Sequence, residues 1–283
     1  MASTAGSPMR TLPTLFLSVA LVATTRAQSP PAFTELDRTA AITALCGRVA
    51  AGTAKDELAG TPATIKGFMT PDKSTICVEL LAATFRQGGR SKHLIVLGGH
   101  RVKDAVIDDS QAAQTKIFVG VLSFQSGRWT MTSKGAPLTE TGFNGRDPVV
   151  ALRKIGDDRH ALELRSGAWG GGTSLSFLDL YNLGGSEPVK LLHVVTDGDD
   201  CGLSDSCFQF TGTFTINAKP GAPAYDARLD LRGTYRDGEG RITRILPENV
   251  PFVLTLTNRT YAPMLSTPAR RALWEAVQSS WDH

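Results

Sequence analysis

The sequence predicts a mainly β protein. It reads as an antiparallel meander, of sandwich or partial-propeller form, flanked by one N-terminal and one C-terminal α-helix. Three observations carry this. Between residues 63 and 265, short runs rich in Val, Ile, Thr, Phe and Tyr alternate with clusters of Gly, Asp, Asn and Pro. No helical pattern interrupts those runs, which argues for antiparallel neighbours rather than strand–helix–strand units. Helical periodicity is confined to the two flanks, residues 33–52 and 266–283.

Taken in order, residues 1–27 have the layout of a secretory signal peptide: Arg10, an apolar stretch from Leu12 to Ala23, then Thr25-Arg26-Ala27 ahead of a cut before Gln28. The apolar stretch is too short to span a bilayer, which takes about 20 residues. Removing residues 1–27 removes two arginines and no acid, so the formal charge falls from +3 to +1. A near-neutral chain with scattered basic residues has no electrostatic reason to seek nucleic acid or anionic lipid. Periplasmic or secreted localisation is expected, with no membrane insertion after signal cleavage.

Residues 28–62 read as the N-terminal helix and a linker. In FTELDRTAAITALCGRVAAG, Phe33, Leu36, Ala40, Leu45 and Val49 form the expected apolar face, and Thr34 caps the helix with Asp37 three residues on. The β domain follows over 63–265. Its expected strands are ICVELLAATF, HLIVLGG, KIFVGVLSF, RWTMTS, VVALRKI, HALELRS, TSLSFLDLYNL, VKLLHVVT, CFQFTGTFTIN, YDARLDLRGTYR, RITRI and FVLTLTN. KIFVGVLSF and VKLLHVVT are apolar on both faces, so both sides should be covered. For the hairpin of CFQFTGTFTIN and YDARLDLRGTYR, separating apolar from polar residues favours a register in which Asn217 faces Ala224 and Thr215 faces Asp226. Residues 266–283 form the C-terminal helix, with Thr267 as N-cap, Pro268 in the first turn and a stripe of Leu273, Trp274, Val277 and Trp281 packed on the β domain.

Four cysteines in an exported chain imply disulfides, and the spacing favours Cys46–Cys77 and Cys201–Cys207. The second pair lies in TDGDDCGLSDSCFQF, which fails the EF-hand pattern because Cys201 and Phe208 stand at ligand positions. It reads as a stapled loop whose aspartates keep the bend solvated. An irregular calcium site built from Asp197, Asp199, Asp200 and Asp205 is the alternative. No cofactor and no metal are expected. The glycine run in RSGAWGGGTSLSF lacks the lysine of a phosphate-binding loop and reads as a wide hairpin connection with Trp169 at its tip.

Asp179 and His193 each stand among apolar neighbours on their strands, where acid–base work is conceivable. No G-x-S-x-G, S-x-x-K or H-E-x-x-H is present. The leading expectation is an exported, non-enzymatic binding module of the bacterial envelope, of inhibitor or immunity type, contacting an unknown protein or small-molecule ligand through Trp169, Asp199 and Asp205. An envelope hydrolase drawing its acid–base groups from Asp179, His193 and the aspartate cluster around Cys201 is the second reading, and a calcium-stabilised structural domain is the third.

Overall fold

A computed structural model describes residues 32–57, 63–108, 110, 113–132, 137–142, 146–170, 172–201, 207–236, 239–244, 251–257 and 259–279. The leader, Asp205 and Trp281 lie outside them. Among the described residues no helix is long and apolar enough to cross a membrane.

The chain opens with α1 (Glu35–Cys46), then β1 (Ala50–Asp56), β2 (Ala63–Met69), β3 (Thr75–Gln87), β4 (Arg90–Lys103), β5 (Val106–Ile107), β6 (Thr115–Gln125), β7 (Arg128–Met131) and β8 (Thr139–Thr141). These strands form the first sheet, in the order β3-β2-β1-β5-β4-β6-β7, with β8 also on β6. Because β3 also pairs with β4, strands β1 to β5 return on themselves, closed by a single parallel rung between Lys55 and Val106. The second sheet holds β9 (Val149–Gly156), β10 (Arg159–Gly170), β11 (Thr173–Asn182), β12 (Val189–Asp199), β13 (Cys207–Asn217), β14 (Asp226–Arg236), β15 (Ile242–Arg244), β16 (Phe252–Thr257) and β17 (Thr260–Pro263), followed by α2 (Pro268–Ser279). Its order is β17-β16-β14-β13-β12-β11-β10-β9, with β15 on β14, all antiparallel. The mainly β meander with two flanking helices is therefore the observed fold.

The two sheets stack face to face. Leu94 and Val96 of β4 and Ile117, Val119 and Val121 of β6 pack against Leu162, Leu164, Tyr181 and Leu183. The opposite face of the first sheet, through Ile95, Leu97 and Leu122, receives Ala41, Ile42 and Leu45 of α1. This double cover is why β4 and β6 are apolar on alternate and intervening positions alike. A further core joins Leu178, Leu180, Leu192, Val194, Phe210, Phe214, Leu229, Leu231, Phe252 and Leu254, with Val277 of α2. There Trp274 meets Phe252 edge-on at 5.0 Å between ring centroids.

Local chemistry explains the helix starts. Thr34 Oγ1 accepts the Asp37 N–H while Asp37 accepts the Thr34 N–H, a reciprocal capping box. Thr267 Oγ1 accepts the Arg270 N–H ahead of α2. Both expected disulfides are present, with Cα–Cα separations of 6.7 Å for Cys46–Cys77 and 4.9 Å for Cys201–Cys207. The first, together with an Arg38 Nε–Glu79 Oε2 contact of 2.8 Å, ties α1 to β3.

Four expectations need correction. Leu36 is 80% exposed and Ala40 is exposed too; the expected Leu45 is buried, but its buried companions on α1 are Ala41 and Ile42. The helix stops at Cys46 because Gly47 caps it, and the stretch read as linker holds β1. The glycine run is not a wide loop: β10 continues through Trp169 to Gly170, which pairs with Thr173, and Gly172 takes the φ of +89° that the tight turn requires. Lastly, the β13–β14 register is two residues away from the expected one, with Asn217 opposite Asp226 and Thr215 opposite Arg228. A slip by two keeps every side chain on its own face, so alternation alone could not exclude it. What decides it lies elsewhere in the chain. The Tyr225 N–H donates to Ile155 O at 2.8 Å and its hydroxyl to Asp157 Oδ1 at 2.6 Å, so residues 218–225 wrap the end of β9 instead of lengthening the hairpin.

Candidate functional site

Strand β9 stops covering β10 partway along. The last rung between them is Arg165 opposite Val149, and the residue before Val149 is Pro148, which has no N–H to continue a ladder. Beyond that rung β10 runs on from Ser166 to Gly170. It is paired on its β11 side and, among the described residues, has no strand on the other. A cavity of about 590 Å³ opens along this edge. Five consecutive residues line it, Arg165, Ser166, Gly167, Ala168 and Trp169. Successive strand residues point to opposite faces, so only a groove running along an edge touches all five.

Gly142, Arg146, Asp147 and Val149 line it as well, as do Ser176 and Phe177 of β11 and Thr196 and Asp197 of β12. The Arg146–Asp147 segment rests on the first sheet. Thr115 Oγ1 donates to Arg146 O at 3.2 Å, and His100 Nε2 lies 3.0 Å from Asp147 Oδ1. A Cβ at position 98 would come within 2.6 Å of that same Asp147 oxygen, so Gly98 is what lets the segment sit this close. The groove thus lies at one end of the sandwich.

Its electrostatics are mixed. Glu163 is 2% exposed and sits between two guanidinium groups, Arg153 Nε and Arg165 Nε, each 2.8 Å from a carboxylate oxygen. Burial alone would raise this carboxyl, but the hydrogen bonds and charges of Arg153 and Arg165 outweigh it and hold Glu163 below the usual carboxylate range. Arg165 is thereby fixed in place as groove wall. Trp169 stands 55% exposed at the far end, offering an uncommitted apolar platform beside these polar groups.

The expected contact residues fall as follows. Trp169 opposes Ser174, which opposes Asp199, so Trp169 and Asp199 share one sheet face two strands apart. Asp199 is not free to bind: its Oδ1 accepts the Cys201 N–H at 3.1 Å and its Oδ2 accepts from Gln209 Nε2 at 3.1 Å. Neighbouring carboxylates are engaged in the same way. Asp200 Oδ1 accepts the Phe208 N–H at 2.6 Å, and Asp197 Oδ2 accepts from Thr196 Oγ1 at 2.8 Å. Oxygens of Asp200 and the sulfurs of Cys201 and Cys207 converge, but those sulfurs are joined to each other and offer no thiolate to a metal.

Asp179 and His193 do meet. His193 Nδ1 lies 2.8 Å from Asp179 Oδ1, Lys190 Nζ lies 3.1 Å from the same oxygen, and the Phe177 ring stacks on the imidazole at 5.5 Å. Burial pushes the Asp179 carboxyl up, but the His193 hydrogen bond and the charges of His193 and Lys190 bring it below its ordinary value. Arg165, Asp147 and Glu163 were not among the residues expected from the sequence. The available signal was the Asp147-Pro148 pair immediately before a strand, since proline at a strand start marks where pairing ends.

No protein-family model, curated protein or solved structure matches this chain.

Proposed function

We propose that this chain is an exported, non-enzymatic binding module that takes an extended segment of a partner protein along the open edge of β10. The observation that carries this reading is the stretch Ser166–Gly170, which among the described residues has no strand on the side away from β11 and is bordered by a groove and by exposed Trp169. An added strand would gain main-chain hydrogen bonds along this edge, and side chains alternating on the two faces would meet Trp169 on one and Phe177 on the other. The leader-like first 27 residues and the two disulfides support export. An inhibitor or immunity-type role fits this mode, in which the captured segment belongs to an enzyme acting on the envelope.

The test is selection from a displayed library of linear peptides, followed by hydrogen exchange. Bound peptides should protect the amides of residues 166–170 and lose most of their affinity to Trp169→Ala. A library that yields no binder, or binders that leave those amides unprotected, overturns the reading.

A second reading rests on the Asp179–His193 contact. Asp179 orients the ring through Nδ1, and a half-exposed imidazole held this way suits general acid–base chemistry. Hydrolysis of an envelope-derived ester or peptide that disappears in His193→Ala would establish it. Equal turnover in the variant would dismiss it.

A further inference from the structure

The face of β4 that looks toward the second sheet reads Lys92, Leu94, Val96, Gly98, His100. Its apolar middle is the core between the sheets, and its two polar ends reach the two ends of the sandwich. His100 supports the groove already described through its contact with Asp147. Lys92 belongs to a second cavity of about 590 Å³ at the other end, lined also by Arg90, Ser123, Asp158 and the turn Gly184–Ser186.

Lys92 is 8% exposed, yet among the described residues its ammonium has one acceptor, the carbonyl oxygen of Leu183 at 3.2 Å, and no carboxylate at ion-pair distance. An ammonium carries three donors, and burying it with one neutral acceptor and no directly bonded carboxylate is unfavourable. The acid on the cavity wall, Asp158, accepts the Gly88 N–H at 2.7 Å and reaches Lys92 through its charge alone, with no direct bond to the ammonium. Exposed Arg90 adds a second cation, and Ser123, directly opposite Lys92 on β6, adds a hydroxyl-bearing wall. Two cations therefore face one cavity whose carboxylate is already engaged.

We infer that this cavity binds a compact oxyanion, a phosphate or carboxylate group, with Lys92 as its buried anchor and Arg90 at its margin. The strain on Lys92 agrees: burial, and then the charge of Arg90, hold its ammonium below the ordinary lysine range, which a bound anion would relieve. The site is separate from the β10 edge and stands whether or not that edge takes a peptide.

The test compares thermal midpoints of the purified chain in chloride, inorganic phosphate and acetate at equal ionic strength and pH, with calorimetric titration of the two oxyanions. Phosphate or acetate should raise the midpoint saturably, as binding to the folded state requires. The stronger of the two identifies the phosphoryl or the carboxylate source. The rise should vanish in Lys92→Met, and the affinity should fall severalfold in Arg90→Gln. A structural lysine that merely holds Leu183 would give an unfavourable Lys92→Met midpoint but no oxyanion dependence in the parent. Absence of a saturable rise with either oxyanion, or an equal rise in Lys92→Met, overturns the inference. Should Lys92→Met fail to fold, parental oxyanion affinity in Arg90→Gln overturns it.

Discussion

His93 of β4 has its ring stacked on Phe33, just ahead of α1, at 3.8 Å and its Nδ1 2.8 Å from Thr84 Oγ1. Burial lowers its proton affinity and, with the charge of Lys154 added, that of His160 as well. The folded chain therefore binds fewer protons at these rings than the unfolded chain, in which both titrate near 6.5. Their stabilising contribution is fully present above that value and is lost as pH falls below it. Glu163, Asp179 and Asp157, all held below their ordinary values, extend the loss into the acid range. The melting temperature should thus decline from pH 7 to pH 5, and His93→Gln should flatten that decline even while lowering the curve. A slope identical to the parent's would contradict this. The aspartates of the stapled loop allow a separate check. Because Asp199 and Asp200 spend their oxygens on backbone N–H groups and on Gln209, neither calcium nor EDTA should move the melting temperature. A rise in calcium of several degrees would show a site these contacts do not account for.

At the scale of elements, α1 shows both what periodicity reveals and what it hides. Its cap and its cysteine were readable, because a capping box and a disulfide partner are marked by residue type. Its buried side was not, because Leu36 and Ile42 are equally apolar and only the sheet decides which one faces inward. Ile42→Ala should cost about 2–5 kcal/mol and Leu36→Ala no more than about 0.5. Paired Cys46→Ala and Cys77→Ala should cost about 2–4 kcal/mol. Chemical denaturation measures all three. The strand β1, AAGTAKD, was illegible for a different reason. It has neither alternation nor a run of β-branched residues, and its extended form comes from pairing with β2 on one side and β5 on the other. β17 owes its place to a short hairpin with β16, and β5 is a two-residue rung.

Across the whole molecule, alternation and β-branched composition placed the twelve expected strands, and long strands such as β4, β6 and β13 bury at least one face, which is the property periodicity reports. It could not say which strands neighbour in space, so neither the return of β3 to β4 nor the bare end of β10 was visible beforehand. The same holds for Asp179 and His193. Each was conspicuous singly, but their contact depends on the β11–β12 register. A related dependence governs α2. Strand β12 pairs with β13 only at Gly198 and Asp199, and the backbone of Val195 is instead satisfied by the Gln278 side chain, through Nε2 to Val195 O and Oε1 to Val195 N. A chain ending at residue 265 should therefore associate through β12, visible as a rise in light scattering at concentrations where the full chain stays monodisperse.

That glutamine amide imitates a strand rung with one side chain, and its partner lies 83 positions earlier. During synthesis the exposed margin of β12 must wait for Gln278 to leave the ribosome before it can be sealed. Closure so far along the polypeptide also predicts slow refolding governed by distant contacts, rather than by any local hairpin.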